Sequence, residues 1–119
     1  MTGLAPIAEA GEEGVLVALG TDGAASNNTQ DMFEVLKLAG RLQRGRLMDG
    51  TVFPPRTVFR MATIDAARAL GIADIVGSIE VGKRADLVAI DLLATPRTVV
   101  LHDVVSQLVG WQLRKRLAA

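Results

Sequence analysis

The stretch VALGTDGAASNN, Val17 to Asn28, decides how the rest of the chain is read. It opens inside an apolar run, Val15-Leu16-Val17-Ala18-Leu19, which stops at Gly20-Thr21-Asp22-Gly23 and gives way to small polar residues. A continuous apolar run of this length, β-branched at two positions and bounded by glycines, predicts a strand buried on both faces, as in a parallel sheet covered by helices. A carboxylate just past the C-terminal end of such a strand stands where α/β folds place ligands and reactive groups, because the loops there vary while strands and helices hold them. Asp22 is therefore the first candidate for chemistry. Local sequence leaves three roles open to it: ligand to a divalent metal, general base on water, or a turn residue bonded to its own loop. The third is common for Asp beside Gly.

Working outward, Pro6 to Glu13 predicts a short helix with Pro6 near its first turn and Gly14 as punctuation. Beyond the polar loop through Thr29, apolar residues recur at Met32, Val35, Leu36, Ala39 and Leu42, which is helical spacing. Asn28 or Thr29 is the expected cap of this helix, with Asp31 in its first turn. A loop carrying Gly45, Gly50, Pro54 and Pro55 is expected to end it. A second stripe follows at Val58, Met61, Ala62, Ala66, Ala69 and Leu70, with a break at Thr63 and Gly71 placed to cap its C-terminus.

From Ile72 the pattern changes. Gly77 to Lys83 reads as a short extended piece and turn, Leu87-Val88-Ala89-Ile90 as a strand, and Thr98 to Leu101 as another. Val104, Val105, Leu108, Val109, Gln112, Leu113 and Leu117 fall on one helical face, and Arg114-Lys115-Arg116 suits either a helix C-terminus or a solvated tail.

Bulk composition narrows the function classes. The 119 residues are half hydrophobic, enough for a sizeable core, and 13 basic side chains balance 13 acidic ones. Zero net charge removes the positive field that nucleic-acid or anionic-membrane binding needs, and three Phe, one Trp and no Tyr offer few stacking platforms. A small-molecule or protein partner is expected, with no nucleic acid and no membrane. The absence of cysteine excludes disulfides, thiolate metal sites and cysteine nucleophiles. The N-terminal residues lack a signal-peptide pattern and no apolar stretch approaches the roughly 20 residues of a membrane span, so a cytoplasmic location is expected.

Other chemistry is sparse. His102, the one histidine, stands beside Asp103 and is read either as a ligand or base or as a hydrogen-bonded structural residue. Ser26 and Ser78 have no histidine nearby in the chain, and there is no Gly-x-Gly-x-x-Gly, P-loop, His-Glu-x-x-His or Gly-x-Ser-x-Gly pattern.

Three segments, VALGTDGAASNNTQDMFEVLKLA, RMATIDAARALGI and GSIEVGKRADLVAIDL, carry a resemblance that periodicity does not supply. Together with LHDVVSQLVG they make the chain, from about Gly3 to Gly110, resemble the C-terminal part of metal-dependent amidohydrolases of the group containing methylthioadenosine/S-adenosylhomocysteine deaminases, triazine chlorohydrolases and guanine deaminases. The resemblance implies an α/β fold: the last part of a (β/α)8 barrel over residues 1–71, a return segment of a small β-sandwich over 72–110, and a divergent tail at 111–119. Val15 to Leu19 becomes the eighth barrel strand. Asp22 matches the family aspartate that binds a single zinc or iron ion and takes a proton from the attacking water. Ser26, Asn27 and Asn28 fall on the following loop near the substrate pocket, with capping and loop hydrogen bonding as the competing reading. Asp86 is read as fixing a turn, and Lys83 and Arg84 as solvated turn residues.

The family's His-x-His pair, its two further histidine ligands and its proton-shuttling glutamate have no match here, and Glu12, Glu13 and Glu34 do not replace the last. A complete barrel takes roughly 250 residues. The resemblance therefore implies a fragment of a hydrolase acting on a purine or similar heterocycle, inactive alone, so whether the chain is itself an enzyme stays open. Two alternatives stand beside it: a self-associating interaction module derived from the barrel, hence a homo-oligomer, or one half of a split enzyme completed by an N-terminal polypeptide.

Overall fold

The computed structural model describes residues 3–91 and 103–110. Six helices follow one another: α1 (Ile7–Glu12), α2 (Ala24–Asn27), α3 (Met32–Leu47), α4 (Pro55–Met61), α5 (Ile64–Ala69) and α6 (Val104–Gly110). The centre is the meeting of α3, α4 and α6, where Leu36, Val58 and Val109 are buried together and Val58 is wholly inaccessible. Leu19, Phe33, Ala39, Phe53, Phe59, Ala62 and Val105 close over them. Fully burying one such aliphatic side chain is worth about 1.5–3 kcal/mol, so these contacts rather than helix propensity hold the short helices in place.

α3 forms where the spacing predicts it, with two differences at its ends. Asp31 is the N-cap: its backbone is extended and its Oδ1 accepts a hydrogen bond from the Phe33 amide at 2.9 Å. Asn28 instead ends α2 in a left-handed conformation, and Thr29 Oγ1 accepts from the Asp31 amide at 3.1 Å. At the other end the helix continues through Gly45 to Leu47, with Arg44 and Arg46 complementing its C-terminal dipole. Arg44 then folds the following loop back, donating to the carbonyls of Val52 at 3.1 Å and Phe53 at 2.6 Å. The break at Thr63 separates α4 from α5 as expected. Gly71, at φ +70°, closes α5 in a Schellman arrangement: its amide reaches Arg68 O at 3.0 Å and the Ile72 amide reaches Ala67 O at 2.9 Å.

α1 spans nearly the predicted range and is tied to α3 by polar contacts. Buried Gln43 donates to Ala5 O at 2.9 Å, and its Oε1 accepts from Arg46 Nε at 3.1 Å. Arg46 in turn makes a bidentate pair with Glu9, with Nη1 to Oε1 at 2.8 Å. The Arg46 guanidinium bonded to Glu9 holds its carboxyl below the usual carboxylate value. A depressed carboxylate contributes above its ordinary pKa and loses that contribution as pH falls through the lowered one. Acidification below about pH 4 is therefore expected to loosen α1 from α3, read as movement of the Ile7–Glu12 amide resonances, whereas Glu9→Gln shows no such step in that range. A Glu9→Gln variant whose α1 resonances titrate like the parent's would contradict this.

The predicted strands are where the structure departs from expectation. Among the described residues no strand forms. Val15 to Leu19 carries no ladder; Val15 and Leu16 are 57% and 49% exposed, so they are not buried on two faces. Its far end is anchored, because Leu19 packs on the core and its amide donates to Met61 O at 2.9 Å. Leu87 to Ile90 is likewise unladdered, with Val88 81% exposed. A helix closes its hydrogen bonds within its own segment, whereas a strand needs a neighbour to supply them, and no described segment forms a ladder with either run. The strand expected at Thr98 to Leu101, residue His102 and the 111–119 tail lie outside the described residues. No helix among the described residues is long and apolar enough to cross a membrane.

Candidate functional site

Asp22 sits at the anchored end of the apolar run, three residues beyond Leu19, and is solvent exposed. Its backbone is left-handed, φ +59°, a conformation that Asp tolerates better than most residues but that still needs holding. Three hydrogen bonds do so. Gly23 N donates to Asp22 Oδ1 at 2.7 Å, Thr21 Oγ1 donates to Asp22 O at 3.1 Å, and Asn27 Nδ2 donates to Thr21 O at 2.9 Å. The single turn α2 makes the last contact feasible: Gly23 O accepts from the amides of Ser26 and Asn27, both at 3.0 Å, which brings the Asn27 side chain back over the start of the loop. Asn27 Nδ2 also lies 3.5 Å from Thr29 O.

The structure thus brings Asp22 and Asn27 into one loop and leaves Ser26 and Asn28 exposed on the same turn. Ser26 takes part through its backbone amide, and Asn28 as the left-handed cap of α2. Thr21 was not singled out by its sequence neighbourhood. Its signal, a hydroxyl immediately before the carboxylate, emerges only once the turn is formed.

The turn after α5 corrects another reading. Lys83 is not a solvated residue: its side chain is 11% exposed and donates to Ala73 O and to Ser78 Oγ, both at 2.6 Å, with Glu80 Oε1 3.2 Å away. Ser78 Oγ donates to Glu80 in turn. Ser78 beside Lys83 has the outline of a nucleophile and a base, but every contact of the ammonium uses it as a donor, so the set works as a clip on the 73–83 loop. Arg84 is solvated as expected, paired with Asp86 at 3.4 Å on an exposed surface where such pairs contribute little. An apolar groove of about 780 Å³ lies nearby, between Phe33, Ala66 and Leu70 on one side and Ile79, Leu87 and Val88 on the other; none of the predicted site residues lines it. Asp103 caps α6, accepting from Ser106 N at 2.9 Å and Ser106 Oγ at 2.6 Å, and these bonds hold its carboxyl below the usual range.

A protein-bound zinc ion takes three or four protein ligands. Among the described residues no three histidine, cysteine, aspartate or glutamate side chains converge. Asp22 fits as one oxygen ligand of such a set, exposed and with only Oδ1 engaged by a described residue, and does not make a metal site by itself.

Comparison with known proteins gives the chain a family. The amidohydrolase family pattern matches residues 1–115. The chain is 44% identical over 108 residues to a 5-methylthioadenosine/S-adenosylhomocysteine deaminase of Thermodesulfovibrio yellowstonii, covering 91% of the chain and 24% of that protein. It is 50% identical over 90 residues to a 5'-deoxyadenosine deaminase of Methanothermobacter thermautotrophicus, covering 76% of the chain and 21% of that protein. Against an S-triazine hydrolase of Gordonia rubripertincta it is 37% identical, covering 90% of the chain and 22% of that protein. Among solved structures, an adenosine deaminase from Xanthomonas campestris with bound zinc superposes with a TM-score of 0.85 at 46% identity, over 91% of this chain and 24% of the other. The chain therefore spans about a quarter of the length of the relatives it matches. The family and the solved neighbour carry a TIM-barrel-type fold, and the chain belongs to the amidohydrolase family.

Proposed function

We propose that this chain contributes the eighth-strand aspartate to a metal-dependent amidohydrolase that hydrolytically deaminates a purine or similar heterocycle. The observation that carries the reading is Asp22 held in a left-handed turn at the end of an anchored apolar run, in a chain similar over nine-tenths of its length to deaminases. In this reading residues 1–71 are the closing part of the barrel, 72–110 a return segment of a small sandwich, and 111–119 a divergent tail. The histidine ligands and the shuttling glutamate come from outside this chain, and the isolated chain is inactive and binds zinc or iron weakly or not at all.

The chemistry follows from a carboxylate beside a reacting water. Water adds across the ring C=N bond at the carbon that bears the amino group and one of its protons passes to an Asp22 carboxylate oxygen; return of that proton to the amine lets ammonia leave, and the hydroxyl's remaining proton ends on the ring nitrogen as the ring carbonyl forms. A zinc or iron ion bound there lowers the pKa of water to about 7 and polarises the site. In this reading Ser26 and Asn28, exposed on the same turn, meet the heterocycle. Replacing the matched quarter of the Thermodesulfovibrio yellowstonii relative by this chain tests the reading: turnover of an adenosine-type nucleoside is expected, and none from the isolated chain.

A second reading is favoured by one observation. The apolar residues Val15, Leu16, Leu87 and Val88 are half to four-fifths exposed on segments without a ladder. Such edges pair with another strand when one is supplied. Without the rest of a barrel the chain is expected to self-associate, seen in sedimentation as a mass that falls on dilution. A dilution-independent monomer at high concentration would end this reading.

A further inference from the structure

We infer that Asn27 is a positioning residue for Asp22 and not a contact for the substrate; the inference rests on the reading of Asp22 above. A peptide unit is planar, so its only freedom is rotation of the whole plane about its flanking bonds. The plane between Thr21 and Asp22 sets φ of Asp22, and its carbonyl is gripped by Asn27 Nδ2 at 2.9 Å across six residues. The plane between Asp22 and Gly23 is held from both ends: Thr21 Oγ1 donates to its carbonyl at 3.1 Å, and its amide donates to Asp22 Oδ1 at 2.7 Å. Among the described residues, Asn27 is the one side chain shown bonding to the first plane from beyond the turn. Flipping that plane would release Asp22 from φ +59° and swing its Cα–Cβ direction, and with it the carboxylate, away from the mouth of the apolar run. Left-handed geometry is disfavoured for any residue with a Cβ, so the turn needs such a hold. With Nδ2 donating to Thr21 O and lying near Thr29 O, the donor side of the Asn27 amide is poorly available to a heterocycle.

The test uses Asn27→Asp, which keeps the shape and removes the donor, and Asn27→Ala. In the isolated chain, both variants are expected to shift the amide-to-Hα coupling of Asp22 out of the left-handed range while the α3 resonances stay in place. In the chimera with the Thermodesulfovibrio yellowstonii relative, both are expected to lower kcat and zinc retention against a chelator by about 10–100-fold, as loss of supporting partners around a metal ligand does, with KM within about twofold. An unchanged Asp22 coupling overturns the inference, as does a raised KM at unchanged kcat and zinc retention, which would make Asn27 a substrate contact. In both of those outcomes the parental chimera still turns over and the reading of Asp22 survives; a parental chimera without turnover removes that reading and this inference together.

Discussion

Asp22→Asn in the chimera is expected to lower deamination by about a thousandfold or more while leaving the fold untouched. Asparagine has the shape of aspartate but neither its charge nor its basicity, so one substitution removes both a proton acceptor and an anionic metal ligand. General-base catalysis alone contributes about 10²–10⁴-fold, and a weakened metal ligand adds to the loss. Stability is not at stake, because Asp22 is exposed and, among the described residues, its carboxylate bonds only to the amide of the next residue. Asparagine accepts left-handed backbone as readily, so the change in unfolding free energy should stay within about 0.5 kcal/mol. Zinc content separates the two losses: it falls if Asp22 is a ligand and stays if it acts on the proton alone. Turnover within tenfold of the parent would remove Asp22 from the chemistry.

Gly77→Val is expected to be the most destabilising single substitution outside the buried core. Gly77 has φ +95°, which side chains with a Cβ avoid and β-branched ones avoid most. A Cβ built there would lie 2.8 Å from the Ala67 Cβ, 3.0 Å from the Ile64 Cα and 3.3 Å from the Thr63 carbonyl oxygen. The last two are backbone atoms and cannot rotate away, so the turn would have to lift off α5. Backbone strain and overpacking each cost about 1–3 kcal/mol, together a large part of the roughly 5–15 kcal/mol available to a small domain. Urea unfolding should show a lower midpoint at unchanged slope. Gly77→Ala should be milder, and Ala67→Gly should recover part of that loss by removing the nearest methyl group; a Gly77→Val midpoint equal to the parent's would show that the turn does not rest on α5.

The contrast between these residues marks what can be read along a chain. Asp22 stands out as a candidate twice over, from its place at the end of an apolar run and from the wording GTDGAASNN. Gly77 was legible only as a turn residue; that it lies against α5 follows from Ala67 and Ile64, ten or more positions away. Lys83 was misread for the same reason, since the carbonyl of Ala73 and the hydroxyl of Ser78 that draw it inward meet it only after the loop has closed. For Asn27 the sequence left a place near the substrate and loop hydrogen bonding side by side, because the side chain's reach back to Thr21 depends on the single turn α2.

By itself, then, the sequence determined the positions of the longer helices, the break at Thr63, the close of α5 at Gly71 and the family of the chain. Each of these rests on spacing, capping chemistry or wording contained within a few turns of chain. Only the tertiary structure decided that Asp31 caps α3, that Asn27 reaches back to the carbonyl of Thr21, that Lys83 is a clip, and that the apolar runs at Val15 and Leu87 stand without a ladder. Helices complete their hydrogen bonds locally, whereas braces, clips and strands depend on partners brought in from elsewhere, and a linear pattern does not say whether those partners arrive.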